Sequence, residues 1–399
     1  MTPEIHINTY TLILFLGGCQ GLLFSLLLLF KHQAKRIINV HLAVLLFSIS
    51  SETLHQFLIE THYIYQLPAL AGFILPLDAL VGISLYWYVR IITHPQQDHS
   101  VTRILSHYSI FIVCVLLSIP YWGLGLEAKL DLIRTGVIGE NWPAYVYYAV
   151  LAQIPIKIIS FCVYLLLAIR LLIAHQKRIK DIFSYREKIT LSWLTALLIL
   201  FVFGLVNGLA VLIFFQEYAE STQLMGFMPV FSIVAVFYIG VMGLMQPVIY
   251  LRKERSYIKH IDEAEPSVVA TSNKYKKSSL SKDDMLRIAD KLNHVMTQQK
   301  LFLQPNLTMP QLASAIPVSP NYLSQTLNCH YCCNFFDYIN ALRIDYAKNL
   351  LTDPSNTGLS VLDIAMASAF NSRSTFYNAF KQIVGMTPAQ YKNQALSQI

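Results

Sequence analysis

Five consecutive residues near the C-terminus carry a dense set of metal-binding and redox-active side chains. They are Cys329, His330, Tyr331, Cys332 and Cys333. Three thiolates and one imidazole could make a tetrahedral zinc site. The spacing is poor for that purpose, because all five residues fall at one predicted helix end and no distant second ligand pair is present in the sequence. Ordinary packing at a helix end is the favoured interpretation, and we predict neither a metal nor another cofactor.

A second group of chemically active side chains lies in apolar sequence. Asp78 and Lys157 each fall near the middle of a long hydrophobic stretch. A charge at the centre of a bilayer costs on the order of 3 kcal/mol, so each residue needs a partner or water. Glu52 and Asn207 could join them. Two interpretations stay open: a buried ion pair or polar ligand site that receives a signal, or a static pair that only fixes helix packing.

The composition is that of a membrane protein. The chain has 399 residues, a mean hydropathy of +0.47, 55% hydrophobic residues and only 13% charged residues. This indicates an integral membrane protein with a soluble appendage. The sequence has no phosphate-binding glycine loop, no His-Glu-x-x-His motif and no nucleophile elbow. We therefore predict that the protein is not an enzyme.

Seven stretches are long enough to cross about 30 Å of hydrocarbon. They are residues 10–30, 38–58, 67–92, 105–124, 145–173, 191–215 and 225–251. Basic clusters at 31–36, 90–103, 170–188 and 252–259 share one side of the membrane only if each intervening segment crosses twice. Because positive residues stay cytoplasmic, the N-terminus is predicted outside and the tail inside, at the inner membrane of a bacterium.

The C-terminal region repeats one pattern, a short helix, a turn and a second helix. The first copy spans about 307–330 and the second about 359–384. Capping pairs with a three-residue spacing mark the helix starts. These pairs are Thr308/Gln311, Asn334/Asp337, Ser360/Asp363 and Thr387/Gln390.

Apolar residues at helical spacing predict a small core for each copy. These residues are Leu312, Ile316, Leu323 and Leu327 in the first, and Ile364, Phe370, Phe376 and Phe380 in the second. Ala313 and Ala365 are small enough to let the paired helices approach. A linking helix over about 334–352 carries Phe335, Ile339, Leu342, Tyr346 and Leu350 on one predicted face.

On these motifs, together with Gly385 and the ending Thr387-Pro388-Ala389-Gln390-Tyr391, the region resembles the DNA-binding domain of the AraC/XylS family of bacterial transcription regulators. The resemblance covers about a quarter of the chain. It implies that two recognition helices, about 34 Å apart, enter successive major grooves of one duplex. Matched position by position, the family pattern assigns DNA contacts to Asn321, Ser324, Gln325, Arg373, Ser374, Tyr377, Asn378 and Lys381.

Side-chain chemistry then predicts a sequence preference. Asn and Gln pair bidentately with adenine, and Arg pairs with guanine. The first half-site is expected to favour A·T, and the second could contain a guanine. The domain carries nine Lys/Arg against seven Asp/Glu from residue 278 onward, and none of the nine lies in the first recognition helix. One copy is therefore expected to bind DNA weakly.

Three positions depart from the family pattern. Where the family often has glycine, this chain has Pro317, Ala369 and Cys332. The proline ring fixes φ near −65°. The first turn is therefore expected to have a different geometry from that of the family.

The sequence thus predicts an all-α protein with a seven-helix transmembrane bundle (residues 1–251), a cytoplasmic linker (252–280) and a soluble double helix-turn-helix domain (281–399). The leading hypothesis is a one-component transcription regulator that binds promoter DNA when its bundle senses a signal. The expected partners are double-stranded DNA, the lipid bilayer, a small-molecule or membrane-derived signal and a second copy. The resemblance adds RNA polymerase.

Two alternative functions stay open at this point. The first is a membrane transporter or receptor with a regulatory C-terminal helical domain. Solute uptake that depends on Asp78 or Lys157 would favour it. The second is a protein-interaction tail that has the helix-turn-helix fold and does not read DNA.

Overall fold

The computed structural model describes residues 4–31, 36–94, 100–135, 143–185, 191–214, 227–245, 280–356 and 358–396. Within these ranges every regular element is a helix. The chain forms two compact units. One contains Met1–Ile173 and Ser192–Pro247, and the other contains Ala174–Leu191 and Val248–Ile399.

The helices before residue 246 follow the apolar stretches of the sequence, except for the helix Leu126–Thr135, which is rich in charged residues. In the described ranges they are α1 (Thr9–Phe30), α2 (Arg36–Glu60), α3 (Ala79–Thr93), α4 (Val101–His107), α5 (Ser109–Trp122), α6 (Leu126–Thr135), α7 (Ala144–Ile182), α8 (Ser192–Phe214) and α9 (Phe227–Met245). α1 packs on α2 and α9, α2 packs on α3, and α8 packs on α9.

Four of these helices, α1, α2, α7 and α8, are long and apolar enough to cross a membrane. α4 and α5 meet the same criterion together but are bent by 42°, so the described residues contain up to five such helices. α3 and α9 are shorter apolar helices. Four to five candidate spans are thus supported, rather than the seven predicted.

Close helix packing in the first unit depends on small residues. A Cβ atom added to Gly21 of α1 would lie 1.9 Å from Ser50 Oγ of α2 and 2.6 Å from a methyl group of Val236 in α9. Only a residue without a side chain fits between these two helices. This is the usual way in which apolar helices gain dispersion contacts inside a membrane.

The prediction of one continuous span over 67–92 is wrong. Residues 68–78 form successive tight turns, and α3 begins only at Ala79. Pro68 and Pro76 lack the N–H group that a helix needs. Gly72 has φ +74°, and a Cβ atom there would lie 2.0 Å from the Tyr121 ring. Asp78 therefore immediately precedes α3 instead of lying at the middle of a spanning helix.

The second unit contains the predicted short helices. They are α10 (Lys282–His294), α11 (Met309–Ala315), α12 (Pro320–Cys329), α13 (Phe335–Thr352), α14 (Val361–Ala367), α15 (Arg373–Val384) and α16 (Pro388–Leu396). The predicted linker over 252–280 lies outside the described residues, apart from its last residue.

Two hydrophobic cores form in the second unit, one for each helix-turn-helix pair. All eight predicted core residues are buried. The linking helix α13 supplies Phe335 and Ile339 to the first core, and Ile344 and Ala347 to the second. The rest of the predicted face also packs, with Leu342 and Tyr346 against the first core and Leu350 against the second. The sequence did not predict the other buried face, that of Ile344 and Ala347, which exists because α13 serves two cores.

Candidate nucleic-acid interface

Both helix-turn-helix pairs begin with a capped helix, as the sequence predicts. In the first pair, Gln311 Oε1 accepts a hydrogen bond from the Thr308 backbone N–H at 2.9 Å. In the second pair, Asp363 Oδ2 accepts from the Ser360 N–H at 2.9 Å, and Ser360 Oγ accepts from the Asp363 N–H at 3.1 Å. Donation by the Ser360 hydroxyl and N–H groups lowers the pKa of Asp363. The two caps differ in charge, since one is an amide and the other a carboxylate.

The recognition helices α12 and α15 are capped in the same way. Ser319 Oγ accepts from the Tyr322 N–H at 3.2 Å, and Ser372 Oγ accepts from the Thr375 N–H at 3.2 Å. These bonds satisfy N–H groups that a helix start otherwise leaves free. Each recognition helix thus begins at a position fixed by its own sequence.

Each turn has one residue at positive φ and closes with the same backbone hydrogen bond, so the expectation of a different first turn is wrong. Pro317 has φ +24°, Ala369 has φ +61° and Cys332 has φ +54°. The first turn is closed by a bond from the Val318 N–H to Ala313 O, and the second by one from Phe370 N–H to Ala365 O, each at 3.0 Å. This bond defines the Schellman helix end, which requires positive φ.

The turns differ in one hydrogen bond. In the second turn the Ala369 N–H also donates to Met366 O at 2.9 Å. Pro317 occupies the corresponding position in the first turn and has no N–H group. The first turn therefore closes with the same hydrogen bond and has one bond fewer.

The predicted DNA-contacting residues of the first recognition helix are not equally accessible. Asn321 is exposed and Ser324 is half-buried. Gln325 is only 7% exposed and lies on the buried side with Leu323 and Thr326. The amide of Gln325 is therefore not presented to a base edge in this structure. Tyr322, which was not predicted from the sequence, is 40% exposed beside Asn321. Its place in the first turn of a recognition helix was the signal that could have identified it.

The second recognition helix presents the whole predicted set. Arg373, Ser374, Asn378 and Lys381 are exposed, and Tyr377 is half-buried. The Arg373 guanidinium lies 5.1 Å from the centre of the Tyr377 ring and donates to its hydroxyl at 3.4 Å. Stacking on an aromatic ring limits the conformations of this long side chain. The cation is thus held at the start of α15.

One buried arginine lies between the two pairs. Arg343 of α13 is 1% exposed, and it donates to Phe302 O at 2.8 Å and to Gln304 O at 2.7 Å, just before the first pair. Its guanidinium also lies 5.9 Å from the ring centre of Phe370, in the turn of the second pair. No local pattern in the sequence marks Arg343, because its partners are distant in the chain.

A second contact joins the pairs at the surface. The Asn371 side chain donates to Asn306 Oδ1 at 3.1 Å and to Pro305 O at 3.4 Å. The turn of the second pair is therefore bonded to the segment that leads into the first. Together with α13, these bonds fix the spacing of the two recognition helices.

The cysteine cluster after α12 has the features of helix-end packing. Cys329, Cys332 and Cys333 are free thiols. Burial, together with Asp337 and Cys332, raises the pKa of Cys333, which keeps the thiol protonated. Tyr331 donates to Asn293 of α10 at 3.0 Å and packs on Tyr338. Among the described residues, no group of three or more His, Cys, Asp or Glu side chains is arranged to hold a metal.

In the first unit, Lys157 and Asp78 form an ion pair. Lys157 Nζ lies 3.0 Å from Asp78 Oδ2 and also donates to Leu75 O at 3.2 Å. Glu52 lies near enough to interact electrostatically with both. Asn207 is half-buried on α8, and no hydrogen bond joins it to the pair in the part of the chain that the structure describes. Lys157 thus pairs with the Asp78 carboxylate. It also donates to the Leu75 carbonyl, a backbone group in the tight turns before α3 that needs a donor inside a membrane.

Known proteins are similar to this chain over its C-terminal part. A helix-turn-helix domain family matches residues 312–394. The melibiose operon regulatory protein of Escherichia coli is 30% identical over 128 residues, which are 32% of this chain and 40% of that protein. The uncharacterised HTH-type transcriptional regulator YtdP of Bacillus subtilis is 28% identical over 110 residues, or 28% of this chain and 14% of YtdP.

Among solved structures, the C-terminal domain of AraT, a response regulator from Geobacillus stearothermophilus, matches 29% of this chain and 88% of its own length, with 28% identity and a TM-score of 0.24. The chain spans less than half the length of both curated relatives.

Two helix-turn-helix pairs on one linking helix, with polar side chains exposed on both recognition helices, define a DNA-binding domain of the kind used by transcription regulators. The sequence relatives are regulators and not enzymes. The C-terminal domain belongs to the AraC type of helix-turn-helix domain.

Proposed function

We propose that this protein is a membrane-integrated, one-component transcription regulator. It binds promoter DNA through both helix-turn-helix pairs, in response to a signal sensed by its membrane domain. The observation that carries the proposal is the combination, in one chain, of an AraC-type domain with four to five helices able to cross a bilayer.

Exposed apolar side chains support insertion of the N-terminal unit in a membrane. Leu16, Leu166, Ile199 and Phe203 are each 60% or more exposed on α1, α7 and α8. Water-soluble surfaces rarely carry so many contiguous large apolar residues. In this proposal the bundle has seven spans, with α3, the bent pair α4–α5 and α9 completing it. The basic clusters then orient the C-terminal domain toward the cytoplasm.

The proposed base contacts are made by the exposed polar residues of both recognition helices. Asn321 and Ser324 act in the first helix, and Arg373, Ser374, Tyr377 and Asn378 act in the second, with Lys381 on a phosphate. Gln325 would contribute only if DNA binding turned its side chain outward. Because the domain has few cations, the proposed regulator acts as a pair of copies and gains affinity from the higher effective concentration. RNA polymerase is the proposed further partner on the promoter.

The proposed signal site is centred on the pair of Asp78 and Lys157. Glu52 extends the charged group, and Asn207 completes the proposed set on α8. A ligand or a change in the bilayer that separates Lys157 from Asp78 would remove the ion pair and leave Lys157 with Leu75 O and the nearby Glu52, and a weakened charge pair is costly inside a membrane. Such a change favours a rearrangement of the helices that carry them.

The test uses the full chain in nanodiscs. Duplexes are selected from a random pool, and binding of the selected duplex is compared with that of a scrambled one by anisotropy. We expect the selected duplex to bind more tightly by a factor of about 1,000 or more, with two protected segments one helical turn apart on footprinting. Equal affinity for both duplexes would contradict the proposal. Solute uptake that requires Asp78, without any preference for a duplex, would instead support a transporter.

A further inference from the structure

A short segment far from the helix-turn-helix pairs in sequence docks on the C-terminal domain. We call residues 179–185, the end of α7 and the three residues after it, the docking segment. Phe183 forms an isolated antiparallel bridge with Thr308, the residue that caps α11. The Ser184 N–H and hydroxyl groups both donate to Leu307 O, at 3.2 and 2.7 Å. The docking segment therefore binds at the start of the first pair.

The docking segment also accepts hydrogen bonds from Arg343. The guanidinium donates to Ser184 O at 3.2 Å and to Ser184 Oγ at 3.3 Å. Arg343 thus has acceptors in the docking segment as well as in the stretch before α11, and it contacts Phe370 in the second pair. Removal of Ser184 would leave the charged group with fewer acceptors in a buried position, where unsatisfied donors are costly. A rearrangement of Arg343 would therefore change contacts of both helix-turn-helix pairs.

The docking segment is buried around a small apolar cluster of its own. Ile179, Ile182 and Phe183 are each no more than 3% exposed and form one cluster with Tyr185. Withdrawal that exposes this cluster to water would be unfavourable, because the burial of apolar side chains is favourable. The described contacts of Phe183 and Ser184 are with Leu307, Thr308 and Arg343, and none of these three residues lies on a recognition helix.

The docking segment continues a helix that carries half of the ion pair of the first unit. α7 runs without a break from Ala144 to Ile182, and it contains Lys157. No glycine or proline occurs between Lys157 and Ile182. At 1.5 Å per residue this stretch is about 37 Å long. A helix without such residues transmits a rotation or a shift along its axis with little bending.

We propose that the docking segment is the contact through which the membrane domain controls the DNA-binding domain. When docked, it holds Arg343 and the start of α11 so that both recognition helices keep the spacing required for one duplex. A movement of α7 withdraws Phe183 and Ser184 and loosens that spacing. This inference rests on the proposed function, since it specifies how the same DNA-binding site is regulated.

The first experiment removes the aromatic ring of Phe183. The full chain in nanodiscs carries Phe183→Ala, and its Kd for the selected duplex is measured by anisotropy. We expect the Kd to rise at least about 5-fold, the lower end of typical coupling between sites. Lys177→Ala is the matched control, because Lys177 is exposed on the same helix; its Kd should stay within about 2-fold of the parent. An unchanged Kd for Phe183→Ala would overturn the inference.

The second experiment separates docking from a folding defect. The bridge places the Cα atoms of Phe183 and Thr308 about 5 Å apart, within the range of a disulfide. The double variant Phe183→Cys/Thr308→Cys should form a disulfide on oxidation, identified by peptide mass, and bind the duplex with the parent Kd. Reduction of the same sample should raise the Kd at least about 5-fold, while the Kd of the parent should not respond to the reductant.

The outcomes distinguish the two proposals. Failure of the disulfide to form would show that the segment does not dock, whatever the DNA result. A disulfide that forms without changing the Kd would show docking without control. If the parent chain prefers no duplex, the proposed function fails, and control of DNA binding fails with it, although the disulfide yield still reports on docking.

Discussion

The two helix-turn-helix pairs share one backbone plan and differ in their chemistry. The second pair has a carboxylate cap at Asp363, a fully bonded turn at Ala369, and two exposed cations, Arg373 and Lys381, on its recognition helix. The first pair has a neutral cap and a proline in its turn, and it has no cation on its recognition helix. The second pair therefore carries more of the charge and hydrogen bonding that its fold and its proposed DNA contacts need, whereas the first depends more on its surroundings.

The surroundings of the first pair supply what its own sequence lacks. α10 packs on it, Arg343 bonds the stretch that leads into it, and the docking segment bridges to its cap. Loss of one local hydrogen bond in the turn can be offset by such contacts, since each is worth on the order of 1 kcal/mol. Because these contacts come from other parts of the chain, a change in any of them can alter the first pair.

The largest expected effect concerns the cores. Phe376 is fully buried, with Phe370 and Phe380 at ring-centre distances of 5.2 and 5.6 Å. Phe376→Ala should destabilise the second pair by about 3–5 kcal/mol. Hydrogen exchange of the full chain should then show loss of protection in α14 and α15, while α11 and α12 remain protected. Leu323→Ala is the counterpart in the first pair, and equal loss in both pairs for either variant would show that they unfold together.

The next effect concerns DNA. Arg373→Ala should weaken binding of the selected duplex by about 1–3 kcal/mol, roughly 5- to 150-fold, because a bidentate contact to guanine is lost. The same variant should reduce the slope of log K against log salt by about 1 if the cation also neutralises a phosphate. Asn321→Ala should change the preferred base in the first half-site and leave the slope unchanged. Equal affinity of Arg373→Ala and the parent for all duplexes would exclude Arg373 as a base contact.

A smaller effect is expected at the turns. Glycine accepts positive φ without the penalty of about 1–2 kcal/mol that an L-residue incurs. Pro317→Gly removes that penalty and also restores an N–H group, while the greater flexibility of the unfolded chain offsets part of the gain. We therefore expect α11 to gain about 1 kcal/mol in the free energy of opening, measured by hydrogen exchange. Ala369→Gly is the control, because the backbone strain that glycine relieves at positive φ is nearly cancelled by the added flexibility of the unfolded chain. A loss of stability for Pro317→Gly would contradict a strained first turn.

The smallest effect concerns the caps and pH. The pKa of Asp363 is lowered in the folded state by hydrogen bonds from Ser360, so its contribution to stability is present above its usual pKa, 3.8, and is lost as pH falls below that value. Protection of α14 against hydrogen exchange should therefore decrease below about pH 4, and that of α11, capped by Gln311, should not show this transition. Asp363→Asn should remove the transition, and its persistence would assign it to another group.

Local signals in the sequence predicted the helix-turn-helix pairs closely. The linking helix begins and ends at the expected residues, because Asn334 caps its start and Asp353-Pro354 ends it. The turn at Pro317 was predicted incorrectly. The prediction used the φ preference of proline alone, and in the structure the packing of the two helices on their core outweighs that preference. Gln325 was assigned from its position in a motif, and its burial depends on how the whole domain packs.

The apolar part of the chain was predicted less completely. Hydropathy located most of the long helices, but it could not locate the start of α3, since Gly72 and Tyr121 come together only in the folded unit. The free-energy cost of an unpaired charge in lipid suggested that Asp78 and Lys157 pair. Only the structure gives the geometry of that pair. Arg343 and the docking segment gave no signal at all, because 159 positions separate Arg343 from Ser184.

The sequence by itself determined where helices begin and end in the C-terminal domain, since capping and periodicity act within a few residues. It also determined that the N-terminal part is apolar enough for a bilayer. The tertiary structure decided which polar side chains are accessible, which face of α13 serves which core, and what holds Arg343. These depend on contacts between residues far apart in the chain, whose energy exists only when folding has brought them together.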